Sequence, residues 1–188
     1  MIKKTTIGML GAGFIGQMHS LALLNASNSM REPSIKVHLK HLAEHNTQLG
    51  EKVKERFGWE EVSSDWQNII NDPDIDIFVN AGPNHEHGKP SIAAAEAGKH
   101  ILCEKPLASS ADEAFEIWKK VTNANVVHMC AFNYRSIPAL NLAKMMIKSG
   151  ELGEVRHFRS RFLLNMLPKD NSLSWRFSQS KAGFGALG

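Results

Sequence analysis

The 188-residue chain is predicted to be an α/β protein: an open, doubly wound parallel sheet with helices on both faces, plus the first strand of an incomplete antiparallel α+β domain. Three observations predict this. Over about residues 1 to 150, short apolar runs alternate with amphipathic stretches, the pattern of parallel strands joined by crossover helices. Turn or capping residues bound each stretch. After Gly150 the period changes to alternation, with Phe158, Phe162 and Leu164 on one side and His157, Arg159 and Arg161 on the other, as in a strand with one wetter face.

The elements follow in order. Thr6 to Leu10 reads as a strand and Phe14 to Leu24 as a helix. Ile35 to Ala43 is a second strand, and Asn46 is placed to cap a helix from Thr47 to Phe57. Ser64-Asp65-Trp66-Gln67 has capping-box spacing and opens a short helix before the buried strand Ile75 to Val79. Pro90 suits the first turn of the next helix and Gly98 its end. His100 to Cys103 is strand, Ser110-Ala111-Asp112-Glu113 caps a helix running to about Asn123, and Val126 to Ala131 is strand. Pro138 to Ser149 forms a helix closed by Gly150. Val155 to Leu164 is the single antiparallel strand. The expected domains are therefore 1–132, the doubly wound α/β domain, and 133–188, the start of a second. A lone strand has no independent stability, so it pairs with another chain or with a sheet outside this sequence; its open edge is expected to promote self-association into a homo-oligomer.

Composition excludes several classes. Lys and Arg number 22 against 19 acidic residues, a net charge of +3, with 43% apolar and 22% charged residues, the balance of an ordinary globule rather than a disordered or collagenous chain. A chain of this length buries about 70% of its unfolded surface, so its core needs neither disulfide nor metal. Cys103 and Cys130 make no disulfide framework, and a reducing, cytoplasmic location is expected. Lys3 and Lys4 ahead of Ile7 to Ile15 mimic a signal peptide, but glycines 8, 11, 13 and 16 break that apolar stretch. With no run of about 18 apolar residues, no membrane span is expected. Residues 131–188 carry 9 basic and 3 acidic side chains against 13 and 16 in residues 1–130. No nucleic-acid motif accompanies that excess, so it is read as facing a charged substrate or a missing partner.

Gly11-Ala12-Gly13-Phe14-Ile15-Gly16 follows the first strand and opens the first helix, the context of a dinucleotide fingerprint. Gly11 permits the tight turn, Gly13 lets the backbone approach a pyrophosphate, and Gly16 lets helix and strand pack closely; the helix N-terminus supplies free N–H groups and partial positive charge. Glu44, at the end of the second strand and 28 residues beyond Gly16, suits the ribose hydroxyls and would repel a 2′-phosphate, which favours NAD over NADP. Pro83-Asn84-His85-Glu86-His87 falls just past the strand Ile75 to Val79, at the carboxyl edge where such sheets bind ligands; Asn84 and His87 are candidates to hydrogen-bond cofactor or substrate. His85 and His87 lack a third ligand at convincing spacing, so no metal is expected. Cys103-Glu104-Lys105-Pro106 ends the next strand at the same edge. Lys105 reads equally as a surface lysine or as an amine whose pKa, lowered beside a cationic nicotinamide, suits it to exchange a proton with a substrate hydroxyl. Pro106 fixes the turn and allows a cis peptide. Cys103 is read as strand core, since no base is placed to activate it.

These residues resemble the glucose–fructose oxidoreductase, inositol dehydrogenase and rhizopine-catabolism family. The likeness rests on Gly11 to Gly16, Pro83-Asn84 with His87, Ala97-Gly98-Lys99-His100, Glu104-Lys105-Pro106, Asn133-Tyr134-Arg135 with Pro138, Gly150 to Val155 and Trp175-Arg176, in that order. The resemblance implies an NAD(P)-dependent oxidoreductase acting on a hydroxyl or keto group of a sugar, cyclitol or related polyol. It implies that Lys105 is the catalytic amine and that Glu104, Lys105, Arg135, Trp175 and Arg176 lie near the nicotinamide, with Gly11, Gly13, Phe14, Ile15, Gly16, Glu44, Pro83, Asn84 and His87 completing the cofactor set. Trp175 reads alternatively as packing and Arg135 as the partner of an acid. Ala182 to Gly188 resembles the glycine-rich helix entry that precedes the family's catalytic aspartate and histidine, so the chain is read as a truncated, catalytically inactive cofactor-binding product. The rival reading is a nucleotide-sensing or regulatory protein that uses the same fold without chemistry.

Overall fold

The computed structural model describes residues 3–26, 35–163 and 178–183. Of these, 3–131 and 178–183 belong to one compact unit and 132–163 to a second.

In the first unit, β1 (Lys3–Leu10), β2 (Ile35–Ala43), β3 (Glu61–Ser63), β4 (Ile77–Asn80), β5 (His100–Cys103) and β6 (His128–Cys130) form one sheet in the order β3-β2-β1-β4-β5-β6. Every neighbouring pair is parallel. The predicted doubly wound parallel sheet is thus the observed one. The strand order reverses between β1 and β4, which defines a crevice outside their carboxyl ends. The connecting helices are α1 (Phe14–Ala26), α2 (Thr47–Phe57), α3 (Gln67–Asn71), α4 (Gly88–Glu96) and α5 (Ala111–Asn123). Three-residue β3 has too little apolar pattern to be read from sequence; it exists because Glu61, Val62 and Ser63 pair with His41, Leu42 and Ala43.

Alternate residues of the central strands feed two cores. On one face Ile7, Met9, Leu39, Leu42 and Val79 pack with Val53 and Phe57 of α2. On the other, Leu10 and Phe78 pack with Ile69 of α3, Ala94 and Ala95 of α4, and Ile117 and Val121 of α5. Burying a side chain such as Phe78, which is fully enclosed, contributes about 1.5–3 kcal/mol. β1 carries Gly8 where a Cβ would collide with the Ile69 side chain, so α3 seats directly on the strand.

Caps largely follow the sequence. Asn46 Oδ1 accepts from Leu49 N (3.1 Å) and Gly58 closes α2 at φ +75°. Ser110 Oγ accepts from Glu113 N (3.2 Å), while Glu113 Oε2 takes Ser109 N (3.1 Å). The box expected at Ser64 does not form. Gln67 is already the first residue of α3 and cannot reach back from a third position; instead Asp65 Oδ1 accepts from Gln67 N (2.9 Å).

The second unit holds a 3-10 turn, Asn133–Ser136, and α6 (Pro138–Lys148), with Pro138 in its first turn. The antiparallel strand expected from Val155 is absent: residues 153–163 carry no regular structure, and Leu164 lies outside the described residues. A strand needs a partner ladder for its N–H and C=O groups, and no described residue supplies one to this segment. Phe162 instead meets Tyr134 edge-on, centroids 5.9 Å apart. Residues Gln179–Ala182 form the short α7 of the first unit. Among the described residues no helix is long and apolar enough to cross a membrane.

Candidate functional site

The glycine loop joins β1 to α1. Gly11 has φ +97°, and a Cβ there would lie 2.5 Å from the Ala81 carbonyl oxygen beyond β4. A Cβ on Gly16 would collide with the Gly11 carbonyl. Both glycines are therefore demanded by the chain's own backbone. Gly13 is different, because a Cβ there would meet no atom of the described residues within 4 Å. The space it leaves faces outward, at the start of a helix whose first turn holds no acidic side chain. Phe14 and Ile15 begin that helix, so their main-chain N–H groups belong to the unpaired first turn, open to an anion. Such a cradle fits a diphosphate.

Glu44 stands where β2 ends, as its sequence position predicts. Its Oε2 accepts from Ala12 N (2.8 Å) inside the glycine loop and its Oε1 from Asn46 N (2.9 Å), which ties the loop to the cap of α2. Gly11 N also donates to Ala43 O (2.8 Å).

Asn80, the last residue of β4, is fully buried and escapes sequence reading. Its Nδ2 donates to Glu86 O (3.0 Å), His87 O (3.2 Å) and Ser91 Oγ (3.1 Å), while its Oδ1 accepts from Gly82 N (3.2 Å). The signal available was a lone amide ending the apolar run Ile77-Phe78-Val79. Asn80 folds back the segment that carries Pro83, which precedes a 3-10 turn over Asn84–Glu86.

Two side chains of that segment find partners inside the protein. Asn84 is 6% exposed, and its Nδ2 donates to Ala182 O (3.0 Å) of α7. His87 is fully buried, with Nδ1 2.6 Å from Pro106 O and Nε2 3.0 Å from Gly82 O. A neutral imidazole donates from one ring nitrogen, and either donor ties His87 to backbone inside the protein. It clamps the loop after β4 to the loop after β5, a role fixed by backbone atoms that sequence spacing does not reveal.

At the end of β5, Cys103 is 1% exposed and burial pushes its thiol up to about 12, so it is inert strand core as expected. Glu104 N donates to Asn80 O (2.8 Å), and Glu104 Oε1 lies 2.8 Å from Nε2 of His19 on α1. Burial alone would raise the Glu104 carboxyl; the His19 hydrogen bond, the Lys105 N–H on Oε2 (3.2 Å) and the nearby charges outweigh it and hold the group below its ordinary value. His19 is a second residue missed from sequence, lying one helical turn past Gly16. Lys105 is exposed and joined to Pro106 by a cis peptide. The desolvation expected around its amine is therefore not provided by this unit itself.

In the second unit, the exposed Arg135 guanidinium lies over the Phe132 ring, 5.6 Å from its centroid. Trp175 and Arg176 lie outside the described residues.

The parallel 3-2-1-4-5-6 sheet, the outward glycine cradle and the carboxylate at the end of β2 define a dinucleotide-binding domain. The family described as "Oxidoreductase family, NAD-binding Rossmann fold" (GFO_IDH_MocA) matches residues 5–132, and the chain belongs to that family. Levoglucosan dehydrogenase of Pseudarthrobacter phenanthrenivorans is 46% identical over 191 residues, covering all of this chain and 48% of that protein. Glucose-6-phosphate 3-dehydrogenase of Bacillus subtilis is 30% identical over 97% of this chain and 49% of its own length. The solved complex of levoglucosan dehydrogenase with NADH and levoglucosan superposes with a TM-score of 0.93 at 45% identity, over 99% of this chain and 50% of that one. The chain spans about half the length of the curated relatives it matches.

Proposed function

We propose that the chain is the cofactor-holding part of an NAD-dependent dehydrogenase that acts on a hydroxyl or keto group of a sugar or cyclitol, with levoglucosan-like pyranoses as the substrate class. The observation that carries the reading is that the exposed Lys105 amine and the open cradle at Gly13 both follow the carboxyl ends of strands in one parallel sheet. The names of the relatives, levoglucosan dehydrogenase and glucose-6-phosphate 3-dehydrogenase, support the substrate class.

The first-turn N–H groups of α1 would hold the diphosphate, and Glu44 would accept from the ribose hydroxyls and disfavour a 2′-phosphate. Pro83 and the loop held by Asn80 and His87 would border the crevice. When bound, nicotinamide supplies the two-electron hydride acceptor. Lys105 in its neutral form would accept the hydroxyl proton as the substrate carbon is oxidised, and as ammonium would return it in reduction. Arg135, Trp175 and Arg176 are proposed to border the nicotinamide side, and a homo-oligomer in the cytoplasm is the proposed assembly and location.

Calorimetric titration of the 188-residue chain is expected to show NADH binding more tightly than NADPH, with little or no turnover of levoglucosan or inositol. Absence of heat with either coenzyme would overturn the cofactor reading, and a normal dehydrogenase rate from this chain would overturn its inactivity. In the complete enzyme, Lys105→Ala is expected to lower kcat by about 10²–10⁴-fold while NADH affinity is retained. A nucleotide sensor would have no turnover to lose.

A further inference from the structure

The Glu104-Lys105-Pro106 turn is gripped on both sides while the lysine between them is exposed. Pro106 O is held by His87 Nδ1 at 2.6 Å. Glu104 is held by His19 Nε2 at 2.8 Å, in a pair whose side chains are only 17% and 14% exposed. At that separation from an ionised carboxylate the ring nitrogen must carry the proton, so Nε2–H donates. The other Glu104 oxygen, Oε2, accepts the N–H of Lys105 itself at 3.2 Å. One carboxylate thus links the helix that follows the glycine loop to the backbone that carries the reactive amine.

The sheet order gives this link a direction. In a 3-2-1-4-5-6 sheet each half takes one mononucleotide, and the diphosphate sits at the α1 N-terminus between them. His19 lies on α1, whereas Glu104 and Lys105 follow β5 in the other half. The pair therefore spans the two halves.

We propose that His19 is a positioning residue: through Glu104 it sets the turn that carries Lys105, so that the nicotinamide end of the crevice is registered to the helix that receives the diphosphate. This rests on the cofactor reading above. Removing His19 would leave the glycine loop, Glu44 and the first turn of α1 in place, because none of their contacts passes through it. What would be lost is the placement of the far end.

The test compares two ligands on the same chain by calorimetry: NADH, and ADP-ribose, which lacks the nicotinamide. His19→Ala is expected to weaken NADH about tenfold and to change ADP-ribose by less than about twofold, and His19→Gln, whose Nε2 amide still donates, is expected to restore most of the NADH affinity. Glu104→Gln is expected to reproduce the His19→Ala loss, and the double variant to be no weaker than either single one, as for two groups acting as a unit. Equal weakening of both ligands would mean that His19 merely holds α1, and unchanged NADH affinity would mean that it holds nothing relevant; either result overturns the proposal. Should His19→Ala fail to fold, the Glu104→Gln and His19→Gln comparison decides the matter. Failure of the unaltered chain to bind ADP-ribose as well as NADH would sink the cofactor reading itself, a result distinct from the others.

Discussion

Gly13 and Gly16 occupy the same motif yet answer to different forces. Gly16 is required by the Gly11 carbonyl beneath it, whereas no described residue touches the position a Gly13 side chain would fill. Gly13→Ala is therefore expected to leave stability within about 0.5 kcal/mol in denaturant titration, yet to weaken NADH at least about tenfold in calorimetry. Gly16→Ala is expected to cost about 3 kcal/mol or more, because backbone must move to admit the methyl group. Glu104 makes a pH prediction. Its folded pKa lies below the ordinary value of 4.5, so the unfolded chain takes up this proton first as pH falls. The stability it contributes is fully present above 4.5 and is lost as pH drops through the folded value. Urea denaturation at stepped pH should show an acid limb that flattens in Glu104→Gln; an unchanged limb would contradict the pairing with His19. At this scale the motif glycines, Glu44 and Lys105 were legible, since their spacing from a strand end is a local property. Asn80, His19 and the clamp made by His87 were not, because their partners lie on other segments: Glu86 and Ser91, Glu104, and Pro106.

Among the elements, those with their own start and stop signals were the readable ones. Ser110 opens α5 in both sequence and structure, and its hydroxyl holds the Glu113 N–H. Ser110→Ala is expected to cost about 1 kcal/mol in thermal unfolding without altering coenzyme affinity, since α5 packs chiefly on α4. Where signals were weak or ambiguous, pairing decided. β3 exists through its ladder to β2, and α3 starts at Gln67, where Asp65 rather than Ser64 supplies the first acceptor. The alternation after Val155 shows the converse: a strand pattern without a partner in the described residues stays irregular.

For the molecule as a whole, apolar side chains remain uncovered along one sheet margin. Met129 of β6 and the adjacent Val127 are 61% and 71% exposed, and Phe115 and Trp118 of α5 form an exposed aromatic pair at 5.6 Å. Exposed apolar groups clustered in this way promote association. Size-exclusion chromatography with light scattering is expected to show concentration-dependent self-association that Trp118→Glu diminishes; a monomer at every concentration would contradict it. The sequence alone determined the parallel doubly wound sheet, the glycine cradle and the position of Lys105 just past β5. All three follow from periodicity and from residues within a few positions of a strand end, where backbone sterics and helix dipoles act locally. Only the tertiary structure decided which polar groups face the crevice and which are spent inside it, because a buried imidazole or amide must be satisfied by whichever backbone atoms the fold brings to it. That requirement gave His87 and Asn84 backbone partners, and paired His19 with Glu104 across 85 residues of chain.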